Sequence, residues 1–338
     1  MTALLIALLA FVGGCSRSAY VGLAGWDLVP DDFRYGDLYR LSSLPQFKQD
    51  RERCAPLARF APQPPVALYV IGDSFLEESR TNSADFVAQT YRYTHWENRM
   101  AVQLDSSLKN ILLLETVERH AREHFARVAD NVEVVTQPSP AKPEVIGFFH
   151  DVKHFFSGKT AQRQQVPEDQ LENLLFNGPV WQTLKETKAR LNLTWFDRTN
   201  PKVALSRDQR HLFYVLDTDS TLVNSNFNAL PDDEVGRMLD SLNATAGRYR
   251  RAGFDEVWLS IIPNKTTVVE PERGPYNRLI ERIQEAPTLR LSVIDAYRVL
   301  DPGGALFYET SDSHWNCRGR AEWLKAVNDR LKSATPQP

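Results

Sequence analysis

A set of short, unbroken apolar runs, separated by stretches with helical patterning, constrains this chain more than any other feature. Val66 to Ile71 contains no polar residue, Ile111-Leu112-Leu113-Leu114 sits inside a second run, and Val257 to Ile262 and Leu291 to Ile294 repeat the theme. Runs of this length and β-branched content, without polar alternation, predict strands buried on both faces. Between them, residues 117–123, 233–251 and 276–283 predict helices; the second is apolar at Val235, Met238, Leu239 and Leu242. The stretch after Asp85-Phe86-Val87-Ala88 is expected to be helical too, and His211 to Leu216 to be strand-like. Strand alternating with helix predicts an α/β fold: a three-layer α/β/α sandwich on a mostly parallel, flavodoxin-like sheet.

The proline cluster Ala61-Pro62-Gln63-Pro64-Pro65 punctuates the start of the main domain, expected over residues 66–330. Residues 16–65 read as an irregular tether. Residues 135–205 differ in character and are expected to form an insertion or lid. They hold Phe148, Phe149, Phe155, Phe156, Trp181 and Trp195. Such aromatics line carbohydrate grooves, or form a satellite core beneath a lid.

Forty basic residues against forty-three acidic ones give a net charge of -3, with no basic stripe. That balance argues against a nucleic-acid partner. Residues 3–14 are apolar and uncharged, too few to span a bilayer permanently, and read as a signal-peptide core (residues 1–15 overall). The run closes on Val12-Gly13-Gly14-Cys15, which resembles a bacterial lipobox, although no Lys or Arg precedes it. The resemblance implies lipidation of Cys15. Ser16 at the next position implies the outer membrane, with the protein on its periplasmic side. Cys54 and Cys317 remain; export permits a disulfide between them, and two free thiols are the alternative. His120 and His124, on an Arg-rich helix, read as a solvated face, so no metal site is expected.

Two blocks carry chemistry. Gly72-Asp73-Ser74-Phe75 follows the first apolar run, so Ser74 sits where a strand end presents side chains to a cleft. A serine there is a nucleophile, or a helix N-cap. Near the other end lies Tyr308-Glu309-Thr310-Ser311-Asp312-Ser313-His314-Trp315-Asn316. Residues i and i+2 share a face in extended chain, so Asp312 can orient the His314 ring toward Ser74.

These blocks resemble the SGNH/GDSL hydrolase superfamily. The Asp-x-His-Trp string, with Gly319 behind it, looks like that of alginate O-acetyltransferases of the AlgX/AlgJ type. Ile262-Pro263-Asn264-Lys265 is similar to that family's Pro-x-Lys strand end, Ile111 to Arg119 to its Glu-Arg segment, and His211-Leu212-Phe213-Tyr214 to its opening Leu-Phe segment. The likeness covers roughly residues 66–125 and 205–330. The order departs from it: in those enzymes the Asp-His block comes first, so this chain looks circularly permuted.

The resemblance implies Ser74 as nucleophile, His314 as base and Asp312 as orienter. It suggests Arg119, Asn264, Lys265, Tyr308 and Trp315 as oxyanion or substrate contacts. Each has a plainer alternative: an ion pair for Arg119, turn chemistry for Asn264 and Lys265, packing for Trp315. No cofactor is expected. The implied activity is transfer of an acyl group, through acyl-serine, to an exported polysaccharide, with a membrane-bound acyltransferase as donor partner. Water as acceptor would make the chain a carbohydrate acetylesterase. A lipoprotein that binds glycan or scaffolds a secretion complex, its triad unused, is the reading from another class.

Overall fold

The computed structural model describes residues 33–58, 61–135 and 178–334. Phe148, Phe149, Phe155, Phe156 and the Cys15 segment lie outside the described residues. The described chain divides into two units, residues 33–51 with 178–201, and residues 52–135 with 202–334.

In the larger unit the strands are β1 (Val66–Gly72), β2 (Thr90–His95), β3 (Met100–Val102), β4 (Lys109–Val117), β5 (Val132–Val134), β6 (Val203–Leu205), β7 (Leu212–Tyr214), β8 (Glu256–Ile262) and β9 (Ser292–Val293). The central sheet runs β2-β1-β4-β8-β9, and every pairing in it is parallel. β3 pairs with β5, and β6 with β7, in two small separate sheets. Period-two alternation divides each central strand between two cores. Ala67, Tyr69, Ile71, Leu112, Leu114, Leu259 and Ile261 face one. Val66, Leu68, Val70, Ile111, Leu113, Trp258 and Ile262 face the other.

Helices cover both faces. On the first, Asp232–Arg251 packs Val235, Met238, Leu242, Ala246 and Tyr249 inward at helical spacing. Its first turn is acidic (Asp232, Asp233, Glu234) and its last basic (Arg248, Arg250, Arg251), which suits the helix dipole. On the second face, Cys317–Ser333 buries Trp323, Leu324, Val327 and Leu331. The result is the expected three-layer α/β/α arrangement.

Three local expectations change. The stretch after Ala88 is the edge strand β2, not a helix: Tyr91 and Tyr93 pack on the second core while the strand pairs with β1 along its whole length. Period two wins there because the backbone completes a ladder. The helix expected from Tyr276 begins only at Leu279, after Arg278 in a left-handed conformation (φ 57°). The strand expected over His211 to Leu216 ends at Tyr214, where a one-turn helix takes over.

The smaller unit holds Asp37–Ser42 and the longer helix Pro179–Phe196. Glu186 ties them together, bonding the Tyr39 hydroxyl and, at 2.9 Å, Lys48. Residues 33–51 are thus more ordered than the tether expected there. The expected insertion ends before β6, which belongs to the larger unit. No helix among the described residues is long and apolar enough to cross a membrane.

Candidate active site

The carboxyl edge of a parallel sheet is where this architecture collects functional side chains. β1 ends at Gly72, and the chain turns sharply through Asp73 and Ser74. A side chain at Gly72 would place its Cβ 2.7 Å from Glu115 Oε2 and 3.2 Å from the Tyr93 ring, so glycine is required by close approach. Asp73 organises the turn. Its Oδ1 accepts from the Phe75 N–H at 3.0 Å, and its Oδ2 from the Val117 N–H at 2.5 Å, the last residue of β4. The Asp73 N–H donates to Glu115 Oε2 at 2.9 Å. Both neighbours' amides are therefore occupied. Among the described residues no acceptor reaches the Ser74 N–H, which leaves it available beside Oγ.

Ser74 is not a helix N-cap. Its Oγ lies 2.8 Å from His314 Nε2. His314 Nδ1 lies 2.5 Å from Asp312 Oδ1, and the same carboxylate oxygen accepts from the His314 N–H at 3.0 Å. Ser74, His314 and Asp312 form one hydrogen-bonded chain across 240 residues of sequence. Asp312 is fully buried and His314 is 6% exposed. Burial alone would raise the Asp312 carboxyl. The His314 ring and the Arg80 guanidinium, 3.5 Å away, hold it well below the usual carboxylate range. An ionised Asp312 fixes Nδ1 as the protonated nitrogen and leaves Nε2 to accept from serine.

The loop carrying Asp312 and His314 is tied down on several sides. Tyr308 bridges to Trp315, closing the loop at its base. Asn316 caps the following helix, accepting from the Arg318 and Gly319 N–H groups. A Cβ on Gly319 would meet the Phe307 carbonyl at 2.4 Å, so this turn also needs glycine. A Cys54–Cys317 disulfide joins the segment before β1 to the residue three after His314. Phe75, next to Ser74, packs against both His314 and Trp315, with ring centroids 4.4 and 4.9 Å apart.

The five residues suggested as oxyanion or substrate contacts are instead turned inward. Arg119 makes a two-oxygen ion pair with Asp217 at 2.9 and 3.0 Å. Asn264 is fully buried; its Oδ1 accepts from the Arg119 N–H, and its own N–H donates to Glu118. Lys265 is 1% exposed, with the carbonyls of Leu212, Glu309, Thr310 and Asp312 within 3.1 Å of its ammonium. Tyr308 donates to the Pro263 carbonyl from a buried position. Trp315 is wedged between Phe75 and Trp323. These groups shape the site from behind. A buried polar side chain must satisfy its own hydrogen bonds first; main-chain groups do this for Asn264, Lys265 and Tyr308, and the Asp217 carboxylate for Arg119.

His120 and His124 change in the opposite direction. They are half-buried, not a solvated face. Trp96, His124 and His120 form a row, with centroids 4.3 and then 5.6 Å apart and near-parallel planes. Burial keeps both imidazoles neutral, pushing His120 down to about 4 and His124 to about 3. The row borders a cleft of about 480 Å³ that reaches Asp73 and Ser74, with His95, Glu97, Arg99, Glu123, Arg127 and Asp130 among its other lining residues. Sequence reasoning passes over Trp96 and Arg80, and offers Glu115 only, with Glu123, as an ion-pair partner for Arg119, a place that Asp217 takes. Nothing local marks them, because each acquires its role from strands or loops distant in sequence.

No protein-family model, curated protein or solved structure matches the chain.

Proposed function

We propose that this chain is an SGNH-type serine acyltransferase that forms an acyl-enzyme at Ser74 and passes the acyl group, most simply acetyl, to a hydroxyl of an exported polysaccharide. The observation that carries the proposal is the Ser74–His314–Asp312 chain, with contacts of 2.8 and 2.5 Å beside an open cleft. A scaffold that made no use of these groups would have no need of so complete a geometry.

The chemistry follows from the contacts. His314 Nε2 takes the Ser74 Oγ proton as Oγ bonds to the acyl carbonyl carbon. Asp312 stabilises the imidazolium, and the Ser74 N–H donates to the developing oxyanion. The donor's leaving group departs with the proton from Nε2. An acceptor hydroxyl then gives its proton to Nε2 and attacks the acyl-serine carbon. Collapse returns that proton to Ser74 Oγ and releases the acylated sugar. Water in place of the sugar gives hydrolysis by the same steps, which is the esterase reading.

The Cys15 lipobox supports tethering at the periplasmic side of an outer membrane, and the disulfide suits an oxidising compartment. A membrane-bound acyltransferase partner would supply acyl groups across the bilayer.

The test is intact-mass measurement after incubation with p-nitrophenyl acetate. Wild type gains one acetyl on the peptide containing Ser74, and Ser74→Ala gains none. Turnover falls by roughly 10⁴-fold or more in the variant. Acetylation that persists in Ser74→Ala removes the serine from the mechanism.

A further inference from the structure

The helix Pro179–Phe196 of the smaller unit carries its apolar stripe outward. Gln182, Glu186, Ala189 and Leu193 recur at helical spacing on one face, and that face is the partly buried one. Glu186 sits on it, bonded to the Tyr39 hydroxyl and to Lys48. The opposite face presents Val180, Leu184, Thr187, Leu191 and Trp195, at i, i+4, i+7, i+11 and i+15. Its four apolar side chains are between 42 and 74% exposed. A helix on a globular unit ordinarily turns such a stripe toward the core. Here the more polar face is packed and the apolar one is outside, which marks a surface built to meet something else.

Charge, ring chemistry and chain length point to the same occupant. Lys188 and Arg190 are exposed and lie to either side of the stripe, while the helix's one carboxylate, Glu186, is turned to the packed face. Cations beside an apolar stripe suit a negatively charged interface: their heads reach its anionic groups while their stems cover apolar area. Trp195 is the most exposed of the four apolar side chains. An indole, apolar in body with a single N–H, is favoured at the level of lipid headgroups. The unit begins at Phe33, 18 residues beyond Cys15, which is at most about 60 Å of extended chain. The lipobox reading therefore keeps this helix within reach of a bilayer. No described helix is long and apolar enough to cross one, so the contact is along its surface.

We propose that the Val180–Leu184–Leu191–Trp195 face docks on the surface of an anionic phospholipid bilayer, with the helix lying in the interface plane. The helix supplies a second membrane contact besides any lipid on Cys15, and one attached chain alone anchors a protein only weakly. The inference does not depend on the acyl-serine reading. It also gives Trp195 a lipid partner, where composition alone would assign it to a glycan groove.

The experiment uses the full chain carrying Cys15→Ser, so that no attached lipid contributes, with vesicles of phosphatidylethanolamine and phosphatidylglycerol. An environment-sensitive dye is placed on the stripe through Leu191→Cys, or on an exposed loop of the larger unit through Ser106→Cys as the reference. Nitroxide-labelled lipid in the vesicles is expected to quench the dye at 191 at least about 2-fold more than the dye at 106. The pair Leu184→Glu with Trp195→Glu, both at exposed positions, removes that difference. Replacing phosphatidylglycerol by phosphatidylcholine lowers it at least about 2-fold. The apolar residues 3–14 are present in every variant, so attachment through them cannot produce the loss in the double variant. Equal quenching at the two positions overturns the proposal. So does a difference that survives the double variant, or one that is unchanged on phosphatidylcholine. Dye emission at 191 that is already blue-shifted without vesicles and does not respond to them overturns it too, because a second copy or another part of the chain then covers the face.

Discussion

The turn at residues 72–76 and the loop at residues 308–316 bring Ser74 and His314 together, but opposite chemistry holds them in place. The Ser74 turn presents main-chain N–H groups inward, and carboxyl side chains receive them: Asp73 takes that of Phe75, and with it that of Val117 at the end of β4, and Glu115 takes that of Asp73. The histidine loop presents carbonyls inward, and a cation receives them. Lys265 collects those of Glu309, Thr310 and Asp312, together with Leu212 from β7. The difference has a reason. In the proposed reaction the Ser74 N–H has to stay available for an oxyanion, so the turn cannot be held by groups that compete for acceptors there. Carboxylates satisfy the flanking amides and leave the middle one open. In the same proposal an extended Asp-x-His segment has the reverse problem: its side chains would carry the chemistry, so its carbonyls are held from behind.

The sharpest way to break the comparison is at the contact between Asp312 and His314. Asp312→Asn keeps the shape but favours the wrong imidazole tautomer, and kcat is expected to fall on the order of 10⁴-fold with KM little changed. Steady-state kinetics with p-nitrophenyl acetate measures this, and an unaltered kcat would show that another group orients the ring.

Lys265→Met removes the cation and leaves its carbonyls buried. A loss of stability of about 1–3 kcal/mol is expected for each buried carbonyl left without a donor. In the folded fraction, kcat should fall while KM holds. Urea unfolding and kinetics on the same sample separate the two effects.

The disulfide is a covalent addition to the histidine side. Cys54 and Cys317 are 263 residues apart, so their bond closes a long loop. Cys54→Ser with Cys317→Ser is expected to cost about 2–4 kcal/mol. Chemical denaturation checks it, and a nonreducing tryptic map should recover the linked peptides from wild type.

The smallest effect is expected on the carboxylate side. Burial, and then the charge of Asp73, raise Glu115 well above the usual carboxyl range, so its neutral form is favoured. Glu115→Gln should therefore change stability at pH 5 by less than about 1 kcal/mol. The sign with pH is definite. The folded state holds a proton on Glu115 that the unfolded state releases above about 4.3, so wild type loses more stability than Glu115→Gln as pH rises. Parallel curves for the two proteins between pH 5 and 8 would mean that Glu115 is ionised in the fold.

The layer architecture and the triad residues are both legible in the amino-acid sequence, because each depends on short-range pattern. An apolar run such as Val66 to Ile71 has no way to satisfy itself except by burial on both faces. Asp312 and His314 share a face in any extended segment, whatever packs around them. The edge strand β2 is not legible in the same way. Its alternation is carried by Tyr91 and Tyr93 and interrupted by polar residues, and pairing with β1 decides the outcome. Arg119, Asn264 and Lys265 stand out in the sequence, but their direction does not. Whether such a group faces a cleft or the protein interior depends on partners about 50 to 145 residues away, such as Leu212 for Lys265 and Asn264 for Arg119. The same holds for His120 and His124. On the helix alone they look solvated, and only the arrival of Trp96 from the end of β2 turns them into the wall of a cleft. Local periodicity sets which residues must be buried or extended; long-range packing alone sets what a polar side chain meets, because its partners come from parts of the chain that pattern does not connect.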